Sequence, residues 1–93
     1  MPKYFNYKVA GYFLYFTSHC IVEAMHVHAS DEGLSEPGSA KFFVKENGDT
    51  VVQDKGRLNS HEIGQIRRYI KMHYKAMYEK WAEWSREGFY EGN

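Results

Sequence analysis

Apolar positions change period along this chain. Up to residue 53 they alternate or run together, and from residue 59 they return every three or four residues. The first rhythm belongs to strands and the second to a helix. Val9 to Phe16, VAGYFLYF, is apolar on both parities and is expected to be a central strand covered on both faces. Tyr4 to Tyr7 reads as a strand leading into it through a tight connection near Lys8, with Gly11 as an alternative bulge. Met25 to Ala29 alternates strictly, so Met25, Val27 and Ala29 turn to the core while His26 and His28 share the opposite, wetter face. Residues 30–39, SDEGLSEPGS, are dense in loop formers. Ala40 to Val44 and Thr50 to Gln53 form a hairpin through Asn47-Gly48.

The helix begins at Asn59, an N-cap with Glu62 three residues on. Ile63, Ile66, Ile70, Tyr74, Met77, Trp81 and Trp84 fall in a stripe roughly 80° wide at helical spacing. That stripe must face the sheet. Gly88 is the expected stop, leaving 88–93 as a flexible tail behind a single domain over 1–87. The fold class is therefore α+β: a small, mostly antiparallel sheet of about five strands with one long C-terminal helix packed across one face. The sheet edge from Lys41 to Val44 is a place where a second copy would pair.

Composition sharpens this outline. An aromatic share of 17% suits a small sheet faced by bulky rings. Twelve basic and twelve acidic residues cancel, so overall charge gives no argument for nucleic acid or an acidic partner. Their distribution is uneven: Lys55 to Lys80 holds seven Lys or Arg against Glu62 and Glu79, whereas His19 to Pro37 holds four acids and neither Lys nor Arg. Cys20 is alone, which excludes an internal disulfide and a multi-cysteine zinc site and assigns it to packing. The N-terminal apolar run is too short to span a bilayer, and a cytoplasmic location is expected.

Two groups carry chemistry. On a strand, residues two apart point the same way roughly 6.6 Å apart, so His26 and His28 can converge on a divalent metal or a phosphate, or act as acid and base on a phosphodiester. A metal would need a further donor from His19, Glu23, Asp31 or His61. The bland alternative is two polar residues on the wet side of a strand. Arg67, Arg68, Lys71 and Lys75 fall in an arc of roughly 100° on the helix, a face for a partner or nucleic acid, or simply a solvated one. His73 borders the apolar stripe, and Trp81 with Trp84 anchors the end of the helix. No P-loop, dinucleotide fingerprint or nucleophile elbow is present.

The order MPKYFNYKVAGYFLYF, EAMHVHAS, SAKFFVKENGD and GRLNSHEIGQIRRYIKMHYKAMYEKW resembles the small bacterial proteins of domain-of-unknown-function family 4160. The matching positions are Met1, Pro2, Gly11, Tyr12, Glu23, His26, His28, Gly48, Ile70 and Trp81; Ala24 stands where that pattern usually has Pro. Members are often encoded beside a second small protein, so the resemblance implies a toxin-antitoxin-like module with a small protein partner and, beyond it, a nucleic-acid target. Two functions are carried forward: a non-enzymatic interaction module, and a small metal-binding or phosphodiester-directed enzyme using the histidine pair.

Overall fold

The computed structural model describes residues 3–17, 23–31 and 38–92. Met1, Pro2, His19 and Cys20 lie outside them, as does the acidic stretch from 32 to 37. Four strands form an antiparallel meander: β1 (Phe13–Tyr15), β2 (His26–Ser30), β3 (Ala40–Val44) and β4 (Thr50–Asp54), in the order β1-β2-β3-β4. The single helix α1 spans Ser60–Ala82. The α+β class and antiparallel sheet are as expected; the strand count is four rather than about five.

The missing strand is Tyr4 to Tyr7. Here the chain makes one bridge, from the preceding Lys3 to Tyr15, one backbone hydrogen bond from the Tyr4 amide to the Leu14 carbonyl at 2.8 Å, and one from the Tyr4 hydroxyl to the His26 carbonyl at 2.9 Å. It then leaves the sheet, because Phe5 packs its ring on Tyr69 and His73 of α1. The chain returns through a two-residue turn in which Val9 and Tyr12 exchange both backbone hydrogen bonds, with Ala10 and Gly11 at φ 55° and 89°. The strand expected to be central therefore reduces to three residues at one end of the strand order. Its unbroken apolarity has another cause: Leu14 and Phe16 enter the helix-side core, while Tyr15 is buried on the opposite face against His28.

Ala40 to Val44 is not an edge. It lies between β2 and β4, with His28 opposite Lys41 on one side and Phe43 opposite Val51 on the other, so its ladder is filled and a second copy cannot pair there. Among the described residues the unpaired edge is that of β4. The hairpin joining them closes at Gly48, whose φ of 89° is combined with a contact no side chain fits: a Cβ there would lie 2.6 Å from the Tyr74 ring.

α1 begins with a complete capping box. The Asn59 side chain accepts from the Glu62 amide, and the Glu62 carboxylate accepts from the Asn59 amide. Ile66, Ile70, Met77 and Trp81 are buried against Val27, Phe42 and their neighbours. Burial of each is worth about 2 kcal/mol, more than the few tenths that separate one residue's helix propensity from another's, so packing holds this helix in place. The helix ends at Ala82, capped by Glu83, not near Gly88. Trp84 consequently leaves the stripe and is 55% exposed. The chain folds back instead: the Trp81 indole N–H donates to the Glu87 carbonyl at 2.9 Å, the Met25 amide to Gly88, and the Tyr90 amide to Val44. Residues 88–90, expected as the start of a tail, are thus hydrogen-bonded to the sheet.

Candidate functional site

Alternation along β2 sends Val27 and Ala29 into the helix-side core and turns His26 and His28 to the other face. That face is not wet. His26 is fully buried and His28 is 3% exposed, because Tyr15 packs on His28, while Phe43, itself stacked on Tyr90, and Trp81 from the end of α1 pack on His26. The two imidazoles meet edge to face, with centroids 5.1 Å apart. His26 Nδ1 donates to the Ala24 carbonyl at 2.9 Å, which fixes the proton on that nitrogen since a carbonyl only accepts. His28 Nδ1 lies 3.3 Å from Ser39 Oγ. Both Nδ1 atoms are thereby committed to protein contacts.

His28 reaches a cavity. With Glu23, Ser39, Lys41, Gln53 and Asp54 it lines an open, polar hollow of about 420 Å³. Cross-strand register builds this group: Tyr15, His28, Lys41 and Asp54 stand opposite one another across four strands, and an irregularity between Lys41 and Phe42 brings Asp54 into the row. Lys41 donates to both carboxylate oxygens of Glu23, at 2.9 and 3.3 Å. That bond holds the Glu23 carboxyl below its ordinary range, with a smaller contribution from the nearby histidines and an opposing one from burial. Glu23 is the one expected donor brought into this hollow; Asp31 and His61 do not line it, and His19 lies outside the described residues. Among the described residues no group of three His, Cys, Asp or Glu side chains is placed to hold a metal ion.

The four cations of the α1 arc, Arg67, Arg68, Lys71 and Lys75, divide into two pairs. Arg67 donates to the Thr50 hydroxyl and carbonyl, at 2.8 and 3.1 Å, and Lys71 to the Asn47 carbonyl and the Asp49 carboxylate, at 2.9 and 2.8 Å. They tie the β3–β4 hairpin to the helix and, with Gly64 and Arg68, wall a hollow of about 310 Å³. Arg68 and Lys75 project from the exposed side, where no carboxylate among the described residues pairs with them.

Sequence reasoning missed Ser39 and Lys41, which join His28 only through strand register, and Phe5 and Tyr7, which join α1 only through the tertiary fold. Lys41 alone carried a signal, since a hairpin pairing of β2 with β3 places it opposite His28. His73, placed by spacing at the margin of the core stripe, stacks on Tyr69 at 4.2 Å.

Residues 11–82 match the family described as "Domain of unknown function (DUF4160)". The chain belongs to that family. No curated protein and no solved structure matches it. Several positions on which the DUF4160 resemblance rests have structural work: Ile70 fills the core, Gly48 admits the Tyr74 ring, and Trp81 packs on His26 with centroids 5.7 Å apart. Glu23 and His28 are matching positions that line one hollow, and Gly48 is one that lines the other, beside Arg67 and Lys71.

Proposed function

We propose that this DUF4160 protein is a non-enzymatic interaction module that acts with a second small protein, in the manner of a toxin-antitoxin pair. The contact surface is the basic side of α1 with the adjoining edge of β4. The observation that carries this reading is the asymmetry of the sheet. The outer edge of β1 is occupied by the chain's own Lys3 and Tyr4, whereas β4 has no strand beyond it among the described residues and runs beside Arg67 and Lys71. An open edge flanked by cations suits an extended, acidic segment of a partner. Co-purification with the product of a small gene adjoining its own tests this. Replacing Arg67, Arg68, Lys71 and Lys75 together by Gln is expected to reduce recovery at least ten-fold while His28→Gln leaves it unchanged; undiminished recovery from the four-charge variant overturns the reading.

A second reading is favoured by one observation, the hollow in which His28 meets Glu23, Lys41 and Asp54. There the chain would bind a divalent metal or act on a phosphodiester, with His28 as the proton-transferring group and Lys41 facing the anion. An NMR pH titration of the histidines with zinc, manganese and inorganic phosphate separates the readings. A His28 titration that none of the three additions shifts removes the second.

A further inference from the structure

The N-terminal segment and α1 meet along a seam whose aromatic rings neither reading uses. Phe5 and Tyr7 stack, with centroids 5.2 Å apart and planes 24° from parallel. Phe5 stands edge-on to Tyr69 at 5.3 Å, and the Tyr7 and Tyr69 hydroxyls are hydrogen-bonded. The rings are therefore held in fixed orientations, yet Tyr7 remains 51% exposed. Next to Tyr69 on the helix comes Met72, 78% exposed, three residues on. Met72 in turn neighbours Arg68 and Lys75, four residues before and three after it. Rings, thioether and two cations form one continuous exposed surface.

Its charge is one-sided. No Asp or Glu occurs from residue 3 to 17 or from residue 63 to 78, although the whole chain is neutral. All twelve acids lie outside the two segments that build the seam, which carry Lys3, Lys8 and the four helix cations. Of the two acids that flank the helix segment, Glu62 is held by the Asn59 amide and the Tyr12 hydroxyl, while Glu79 follows Lys75 by one helical turn.

We infer that the seam of Tyr7 and Tyr69 with Arg68 and Lys75 binds single-stranded nucleic acid, the rings stacking on unpaired bases and the cations meeting phosphates. Pre-oriented, half-exposed aromatic rings beside cations on a predominantly basic surface are what sequence-tolerant single-strand binding requires. An anionic membrane would also attract the charge. It needs a broad apolar face, however, and the large hydrophobic side chains exposed among the described residues are only Tyr7, Met72 and the distant Trp84. The inference does not rest on the protein partner proposed above.

Fluorescence anisotropy with labelled oligo-U, oligo-dT and a hairpin duplex, alongside sedimentation with phosphatidylserine vesicles, tests it on the full chain. Single strands are expected to bind more tightly than the duplex. Tyr7→Ser should weaken them about ten-fold, the worth of one base stacked on a ring, while Tyr7→Phe, which keeps the ring, retains affinity. Arg68→Gln with Lys75→Gln should flatten the slope of log affinity against log salt by about 1.4, two phosphates at about 0.7 each. Binding that is absent, indifferent to Tyr7→Ser, or stronger to duplex overturns the inference, as does vesicle binding without oligonucleotide binding. Arg68 and Lys75 also belong to the proposed partner surface, so the Tyr7→Ser variant, which leaves every helix cation in place, separates the two proposals: it should weaken oligonucleotide binding and leave partner recovery unchanged.

Discussion

Tyr7 and Tyr69 share a hydrogen bond between phenols, so ionising either one costs that bond. The bond, with burial adding to it, pushes Tyr69 up to about 12. A group whose folded value is raised contributes stability fully below its ordinary value of about 10 and loses it as pH rises through about 12. Tyr7→Phe removes the partner oxygen and is expected to bring the Tyr69 transition back toward the ordinary tyrosine range, read by tyrosinate absorbance; an unmoved transition would mean that the two hydroxyls do not meet. Glu23 works in the other direction. Lys41 holds it low, so the pair contributes above the ordinary carboxylate range and its contribution fades as pH falls through the depressed value. The carboxylate is 46% exposed and screened, which limits the effect to about 0.5 kcal/mol. Glu23→Gln should therefore flatten the acid limb of a denaturation-midpoint profile by about that amount without altering the neutral fold.

At the level of elements, the two best-determined pieces are those whose determinants lie close in sequence. The capping box at Asn59 and Glu62 and the Asn47-Gly48 turn are both written within four residues, and both stand in the structure. Asn59→Ala should cost about 1 kcal/mol through the lost cap. Gly48→Ala should cost more, about 2–4 kcal/mol, since it forces a side chain into the left-handed region and into the Tyr74 ring at once. Urea denaturation of the two variants orders them, and a Gly48→Ala midpoint above that of Asn59→Ala would contradict the close approach. The alternation that sets His26 and His28 apart from Val27 was equally local and is correct. Their burial was not legible, because what covers a strand face comes from Tyr15, Phe43, Trp81 and Tyr90, scattered over the chain. For the same reason VAGYFLYF disclosed that both its faces are covered but not its place at one end of the strand order. Phe5 and Tyr7 disclosed an aromatic, extended segment but not its departure toward α1.

On the scale of the whole molecule, the helix covers one face of the sheet, and the other depends on what the chain's ends bring to it. Residues 88–90 close the end of that face where Met25 and Val44 meet: the Met25 amide, in a fully buried residue, donates to the Gly88 carbonyl, and Tyr90 lies flat on Phe43 at 4.2 Å while Phe89 lies flat on Tyr78 at 4.1 Å. Removing residues 88–93 would strip a buried amide of its acceptor, at about 1–3 kcal/mol, and two stacked pairs, at about 0.5–1.5 kcal/mol each. The sum of about 2–6 kcal/mol is a large fraction of the roughly 5–14 kcal/mol that a domain of this length possesses. Truncation after Glu87 is thus expected to lower the thermal midpoint by ten degrees or more, at about 4–8 °C for each kcal/mol. Tyr90→Ala, which keeps the backbone bonds, should lose about a third of that. A flexible tail predicts no change from either, so equal midpoints for full-length and truncated chains would show that the segment does not hold Phe43 and, through it, His26 in place.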